Sequence, residues 1–240
     1  MTAEPKPAEL TVFVSLFCYA LHKQAGIAGA HAAIADQVEQ GVNATWPGFR
    51  ALARLRTLAN CAVMFEGSTL IAKARSRASG AFLSTQCDLW VSIDDDVETT
   101  LEGLTALLEA SQHGIAAMPY WLRNGSQVAC DLKTVEHAPS GLHAATDMAL
   151  GLAAFPRECI VRMYNAHPEL MFAHGTQQCC ALFLESVKDF RWIGEDNAFC
   201  ARARACDVPL WVVCDQETFH DGRPYALSFD RVDRNVAPVK

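Results

Sequence analysis

The stretch from Leu89 to Ile93 constrains the fold more than any other, because five largely apolar residues (LWVSI) lead directly into three aspartates. A run this short, rich in aromatic and β-branched residues, is typical of an inner strand rather than of a buried helix. Asp94, Asp95 and Asp96 then place like charges at the edge of an apolar core, which is costly unless a cation offsets the repulsion. The stretch therefore predicts a core strand whose carboxyl end meets a positive charge.

Short apolar runs alternate with helical patterns along the rest of the chain. We predict strands at residues 10–18, 61–65, 89–93, 115–119 and 208–214, and helices within 26–40, over 47–60, 68–84, 101–108 and 156–165, and from 194. This alternation predicts an α/β fold with a mostly parallel sheet that helices flank on both faces, in one domain over residues 1–240. Residues 1–9 are expected to be a disordered leader and 120–150 irregular loops or a small hairpin, while 171–187 has no clear pattern.

Composition restricts the classes of function. The 240 residues are 51% hydrophobic and carry a net charge of −7, so one sizeable core is expected and a long nucleic-acid-binding surface is not. The ten cysteines include no C-x-x-C pair, which argues against a structural zinc site and favours reduced thiols. The amino terminus lacks the basic segment of a secretory signal, so we expect a cytoplasmic protein.

The acidic triplet is the strongest chemical signal, since the sequence has no P-loop, no G-x-G-x-x-G turn and no G-x-S-x-G elbow. On an extended backbone Asp94 and Asp96 project to one side and Asp95 to the other. Ligands of open α/β sheets gather beyond the carboxyl ends of strands, and two carboxylates there suit Mg²⁺ or Mn²⁺. The alternative is that one aspartate caps the next helix and the others are solvated.

Three segments carry a resemblance to a known family. Residues 71–98 (IAKARSRASGAFLSTQCDLWVSIDDDVE) resemble the segment of GT-A glycosyltransferases in which an arginine-bearing helix precedes a strand ending in the D-x-D motif. Residues 194–212 (GEDNAFCARARACDVPLWV) resemble the E-D helix of these enzymes and its following strand, and residues 219–222 (FHDG) resemble their late histidine. The match is closest to small family-2-type members, including compact forms that bacteriophages encode. The resemblance implies a GT-A, Rossmann-like fold.

The resemblance also implies a metal and nucleotide site. It places Asp96 and His220 on a Mn²⁺ or Mg²⁺ ion, and Asp94 on the ribose or on a metal-bound water. Asp95 occupies the variable middle position of the motif, where its negative charge adds to the electrostatic field at the nucleotide. The alternative for His220 is an ordinary core or surface histidine.

Further roles follow for the arginine-bearing helix and the E-D pair. Lys73, Arg75 and Arg77 are candidates for offsetting diphosphate charge, with Lys73 and Arg77 on one helix face and Arg75 off it. The resemblance implies that Asp196 is the general base and that Glu195 orients the acceptor or its loop. Carboxylates also favour the first turn of a helix, which is the alternative for both.

The implied reaction is transfer of a sugar from a nucleotide-diphosphate sugar, UDP being the commonest, to an acceptor hydroxyl with inversion. The acceptor stays open among a glycan, a lipid, a protein and a modified nucleic acid base. The alternatives are a nucleotidyltransferase and a non-catalytic nucleotide-sugar-binding module.

Residues 149–158 resemble the acceptor-side segment of the family around Gly151. Tyr120, Trp121 and Trp192 are candidates for stacking on a sugar or base, with core packing as the alternative.

Overall fold

The centre of the fold is an eight-stranded sheet. This computed structural model describes residues 10–17, 46–66, 68, 70–122, 128–133, 135, 137–220 and 223–226; the predicted leader (1–9) and the helix predicted within 26–40 lie outside them. The strands are β1 (Thr11–Phe17), β2 (Asn60–Glu66), β3 (Leu89–Asp94), β4 (Val97–Thr99), β5 (Ile115–Ala117), β6 (Cys130–Lys133), β7 (Leu142–Met148), β8 (Leu152–Pro156), β9 (Met171–His174), β10 (Gln177–Cys180), β11 (Ser186–Lys188), β12 (Arg191–Ile193), β13 (Leu210–Val213), β14 (Thr218–His220) and β15 (Arg223–Tyr225). The α-helices are α1 (Pro47–Leu58), α2 (Ile71–Leu83), α3 (Leu101–Ala110), α4 (Arg157–Ala166) and α5 (Glu195–Ala205), and short 3₁₀ helices span Ser111–His113 and Pro168–Leu170.

The strands of the central sheet follow the order β2-β1-β3-β8-β5-β13-β7-β6. Strand β1 is parallel to both β2 and β3, and β13 is parallel to β5. Strands β8 and β7 are antiparallel to their neighbours, so six of these eight strands point the same way. The predicted α/β class with a mostly parallel sheet is confirmed.

Helices cover both faces of the sheet, as the strand sequences require. In β1, Val12, Val14 and Leu16 are buried on one face with apolar side chains of α1 and α3. Phe13 and Phe17 are buried on the other face, in a cluster with side chains of α2, α4 and α5. Both faces of the inner strands are therefore buried, which explains why these strands have nearly continuous apolar sequences.

Several predicted helix boundaries are confirmed and two are wrong. The Thr100 hydroxyl caps α3 by accepting a hydrogen bond from the Gly103 backbone N–H at 3.0 Å. Helix α2 begins at Ile71 rather than at Ser68, because the Ser68 hydroxyl accepts from the backbone N–H of Leu70 at 3.3 Å in a turn before the helix. Helix α4 begins one residue after Pro156, which ends β8.

The largest error concerns residues 120–150, predicted as loops or a small hairpin. They contain β6 and β7, two strands of the central sheet, and β7 pairs with β13. Strand β8 was not predicted, although it lies between β3 and β5. Both β7 and β8 bury several alanines, which lack the β-branched signal of the other strands. The unassigned residues 171–187 form the hairpin β9–β10 and the first strand of the hairpin β11–β12.

Candidate active site

A cavity opens at the carboxyl ends of the three parallel strands β2, β1 and β3. Their register places Glu66, Phe17 and Asp94 side by side, since Phe17 is opposite Glu66 on one neighbour and Asp94 on the other. The cavity has a volume of about 510 Å³. Its lining residues are Phe17, Glu66, Ser68, Ile71, Arg75, Asp94, Asp95, Asp96, Tyr120, Leu122, Ala149, Glu195, Asp196 and His220.

Arg75 joins the two acidic motifs inside this cavity. Its side chain is only 3% exposed. Its Nη2 donates to both carboxylate oxygens of Asp94, at 3.2 and 3.0 Å, and its Nη1 donates to Oδ1 of Asp196. The carboxylate of Glu195 lies 3.6 Å from the same Nη1. The D-x-D strand and the E-D helix therefore meet through one guanidinium group.

Burial and charge shift the pKa values of this cluster. Burial raises the pKa of Asp196 to about 6, although Arg75 opposes the rise and Glu195 and Asp94 add to it. Burial likewise raises the pKa of Asp94, again against the effect of Arg75. Burial lowers the pKa of Arg75, but the carboxylates of Asp196 and Asp94 raise it by more, so the guanidinium stays charged.

Gly151 lets the backbone approach both acidic motifs closely. Its carbonyl accepts from the Asp94 backbone N–H at 2.7 Å, and its N–H donates to the Tyr120 hydroxyl at 3.1 Å. The preceding N–H, of Leu150, donates to Oδ2 of Asp196 at 3.3 Å. A Cβ atom on Gly151 would lie 2.4 Å from the Tyr120 hydroxyl and 2.8 Å from Oδ2 of Asp94, so no larger residue fits without rearrangement.

Asp96 and His220 form a second pair at the rim of the cavity. Oδ2 of Asp96 lies 3.4 Å from Nε2 of His220. Nδ1 of His220 lies 2.6 Å from the carbonyl oxygen of Trp121, which can only accept, so Nδ1 carries the hydrogen. In the neutral ring Nε2 then presents a lone pair toward Asp96. The Tyr120 ring packs against the imidazole with the ring centroids 4.8 Å apart.

These residues fit a divalent cation with two protein ligands rather than three. Within the described ranges, no group of three or more His, Cys, Asp or Glu side chains could hold a metal ion. Arg75 binds Asp94, the other carboxylate predicted near the metal, whereas Oδ2 of Asp96 and Nε2 of His220 lie 3.4 Å apart. A carboxylate oxygen and an imidazole nitrogen suit Mn²⁺ or Mg²⁺ when water and phosphate oxygens complete the shell.

The remaining predicted residues lie at different depths. Lys73 is exposed and does not line the cavity. Nη1 of Arg77 lies 3.2 Å from Oε2 of Glu66. Asp95 is 5% exposed, lines the cavity, and its backbone N–H donates to the Phe17 carbonyl at 3.1 Å. Of the three basic residues on α2, Arg75 is therefore the one that faces the acidic motifs.

Sequence reasoning missed the residues that fix the turn after the D-x-D motif. Glu98 of β4 accepts from Arg50 Nε and from Arg54 Nη1, both at 2.9 Å, and Arg54 also donates to the Thr99 carbonyl at 2.7 Å. Strand β4 pairs with β14, which carries His220. Helix α1 therefore anchors the strand pair that holds Asp96 close to His220. The only signal in the sequence is a pair of arginines four residues apart on one helix face.

Comparisons with known proteins concern the fold alone. No family model and no curated protein matches the chain. Among solved structures it is similar to A197 from STIV, with 13% identity, a TM-score of 0.49 and coverage of 96% of this chain and 98% of that one. It is also similar to GalNAc-T7 with UDP, GalNAc and Mn²⁺ (13% identity, TM-score 0.45, coverage 92% and 45%). A third is 4-diphosphocytidyl-2C-methyl-D-erythritol synthase from Anaerococcus prevotii (12% identity, TM-score 0.41, coverage 85% and 88%). The identities of these three structures are 12–13% and their TM-scores are below 0.5, so the likenesses say nothing about this chain's family or chemistry.

None of the helices within the described residues has the length and apolar character needed to cross a membrane.

Proposed function

We propose that this chain is a metal-dependent glycosyltransferase that moves a sugar from a nucleotide-diphosphate sugar to an acceptor hydroxyl with inversion. The observation that supports it most is the Arg75 guanidinium, which ties Asp94 of the D-x-D strand to Asp196 of the E-D helix within one cavity. Asp96, His220 and Asp196 line this same cavity of about 510 Å³, which supports a cation and a base acting on one bound substrate.

The charge of the cavity supports a metal-dependent reaction. Its lining includes six carboxylates (Glu66, Asp94, Asp95, Asp96, Glu195 and Asp196), and Arg75 is the single Lys or Arg among the lining residues that the structure describes. An anionic diphosphate would be repelled here unless a divalent cation entered with it. A bound cation would supply Lewis-acid stabilisation of the charge that grows on the departing diphosphate. We assign Asp96 and His220 as the residues that hold it.

The same charge pattern disfavours the nucleotidyltransferase alternative. Such an enzyme needs donors for a triphosphate, and Arg75 already donates to two carboxylates. The described part of the lining adds no lysine and no second arginine. A nucleotide diphosphate held mainly through a cation is the better fit.

We assign proton removal from the acceptor hydroxyl to Asp196. With a pKa of about 6, its carboxylate is ionised at neutral pH and is a stronger base than an exposed aspartate. Its two hydrogen bonds, from Arg75 and from Leu150, orient the group without using all of its lone pairs. Glu195, 3.6 Å from the guanidinium, would hold the acceptor next to it.

The test is a thermal-shift panel of UDP-, GDP- and CMP-sugars with and without Mn²⁺. Ligand at about one hundred times its dissociation constant stabilises the native state by about 2.7 kcal/mol. We expect one nucleotide sugar to stabilise the chain only with Mn²⁺, and Asp96→Asn to abolish that effect. Asp88→Asn is the matched control, because Asp88 is exposed at the other end of β3. Stabilisation without metal, or by nucleoside triphosphates instead, would contradict the proposal.

The base assignment has its own test. Asp196→Asn should keep the metal-dependent stabilisation and lose turnover, measured as release of the nucleoside diphosphate in the presence of acceptor. Unchanged turnover would remove Asp196 from the mechanism.

A further inference from the structure

The hairpin of β11 and β12 exposes an apolar face directly before the E-D helix. Val187 and Trp192 are opposite each other in the ladder and share one face, where they are 67% and 68% exposed. Lys188 and Arg191 are opposite each other on the other face. All residues from 186 to 192 are exposed. Two large apolar side chains side by side in solvent are typical of a binding surface.

The tip of this hairpin carries an aromatic residue in an unfavourable backbone conformation. Asp189 and Phe190 form the two-residue turn with φ values of 50° and 61°. Such turns favour Asn or Asp followed by Gly, and a bulky residue with positive φ is a rare outlier. The Phe190 side chain is fully exposed and buries nothing in return. The positive φ and the full exposure of Phe190 together point to a role outside folding.

The hairpin leads into the catalytic region. Trp192 precedes Asp196 by four residues, so their Cα atoms are at most about 14 Å apart. A second cavity of about 280 Å³ also borders Asp196. Asp131, Asp147 and Asn197 line this second cavity. Asp196 therefore borders both the cavity assigned to the nucleotide sugar and this smaller cavity.

We propose that the hairpin docks the acceptor, and that the acceptor is an uncharged saccharide chain longer than one ring; this inference rests on the proposed function. Trp192 and Phe190 offer flat apolar faces to sugar rings, while the carboxylates and the amide of the second cavity accept hydrogen bonds from hydroxyls.

Charge disfavours the phosphate-bearing acceptor classes. The second cavity has three carboxylates and no lysine or arginine among its described lining residues, although Arg204 and Arg75 pair with two of these carboxylates from outside the lining. The lining itself therefore offers no cationic donor to a phosphate-bearing nucleic acid or lipid headgroup. Residues 185–192 contain two acidic and two basic side chains, and the chain as a whole carries −7. No net positive charge is present to draw this hairpin to an anionic bilayer.

Calorimetry with the intact chain tests the proposal, using hexamers of N-acetylglucosamine, of β-1,4-linked glucose and of α-1,4-linked glucose as probes. Nucleotide and metal are left out. We expect at least one hexamer to bind and Trp192→Ala to weaken it about tenfold, which corresponds to the loss of one aromatic contact. Met171 lies on the preceding hairpin in the chain, β9–β10, and is 39% exposed. The Met171→Ala variant should bind the hexamer as well as the unmodified chain does.

Phe190→Gly separates docking from folding. Glycine relieves the positive φ, so this variant should melt at the same or a higher temperature and yet bind the hexamer more weakly. The proposal is overturned if no hexamer binds, or if both hairpin variants bind as well as the unmodified chain. Trp192-dependent sedimentation with phosphatidylglycerol vesicles or with single-stranded DNA would overturn it as well. If no hexamer binds, the Mn²⁺-dependent stabilisation of the protein by a nucleotide sugar is still expected. The acceptor proposal and the proposed function can therefore be refuted separately.

Discussion

Replacing Arg75 with methionine should destabilise the protein strongly, because it leaves two carboxylates in the cavity without their shared cation. Asp94 and Asp196 are only 24% and 22% exposed, and both are bound to Arg75. Breaking a buried ion pair by removing one partner costs about 3–5 kcal/mol. The residual exposure of both carboxylates places the expected loss near the lower end, at about 3 kcal/mol. For a chain of this size the melting temperature should fall by about 6–12 °C.

The loss should depend on pH in a definite direction. Arg75 lowers the pKa values of both aspartates, so its removal raises them further above their values in the unfolded chain. A carboxyl group with a raised pKa in the folded state stabilises that state at low pH and destabilises it as pH rises through the folded pKa. The Arg75→Met variant should therefore lose more stability at pH 8 than at pH 5.

Urea unfolding followed by tryptophan fluorescence at pH 5, 6.5 and 8 measures this loss. Lys73→Met is the matched control, since Lys73 is exposed on the same helix two residues away and should change stability by less than about 0.5 kcal/mol. Arg75→Lys should fall between the two, because lysine keeps the charge but not the two-pronged geometry. A loss below about 1 kcal/mol, or one equal at all three pH values, would refute the assignment of Arg75 as the shared cation.

Three further predictions follow from the same site and its supports. Turnover should rise with pH through about 6 as Asp196 becomes ionised, and a pH profile that is flat between 5 and 7 would contradict its role as base. Gly151→Ala should weaken Mn²⁺-dependent nucleotide binding in the thermal-shift panel, because its Cβ would press on the Tyr120 hydroxyl; unchanged binding would show that the site tolerates the shift. Thr100→Ala should cost about 1 kcal/mol in urea unfolding by removing the cap of α3, whereas Thr105→Ala, on the exposed side of the same helix, should cost less.

The sequence predicted the parallel half of the sheet well and the antiparallel half poorly. Strands β1 and β3 are read directly from runs such as Leu89–Ile93, because strands buried on both faces need β-branched and aromatic residues throughout. Strand β8 contains Ala153 and Ala154, which are buried although alanine favours helices over strands. Its place between β3 and β5 is set by tertiary packing, which a local pattern does not contain.

The site shows the same division between local and tertiary information. The D-x-D carboxylates were predicted because they directly follow a buried strand, and the E-D pair was predicted from the resemblance of residues 194–212 to a glycosyltransferase helix. The contact of Arg75 with Asp94 and Asp196 was not, because it depends on how α2 is rotated against the sheet. Helix spacing predicts that Arg75 and Lys73 lie on different faces of α2. It does not show which of these faces points toward the sheet. Glu66 was passed over although the end of β2 must lie beside the ends of β1 and β3 in a parallel sheet.

Arg75 couples the stability of the fold to the chemistry proposed for it. The guanidinium opposes the rise in the pKa values of Asp94 and Asp196 that their burial causes. Without it, the pKa of Asp196 would rise further, so a smaller fraction of this group would be ionised at neutral pH and able to accept a proton. The six carboxylates of the cavity repel one another, and Arg75 together with Arg77, which pairs with Glu66, offsets only part of that repulsion. A divalent cation at Asp96 and His220 would remove more of it, so metal binding should stabilise this fold even before a nucleotide sugar arrives.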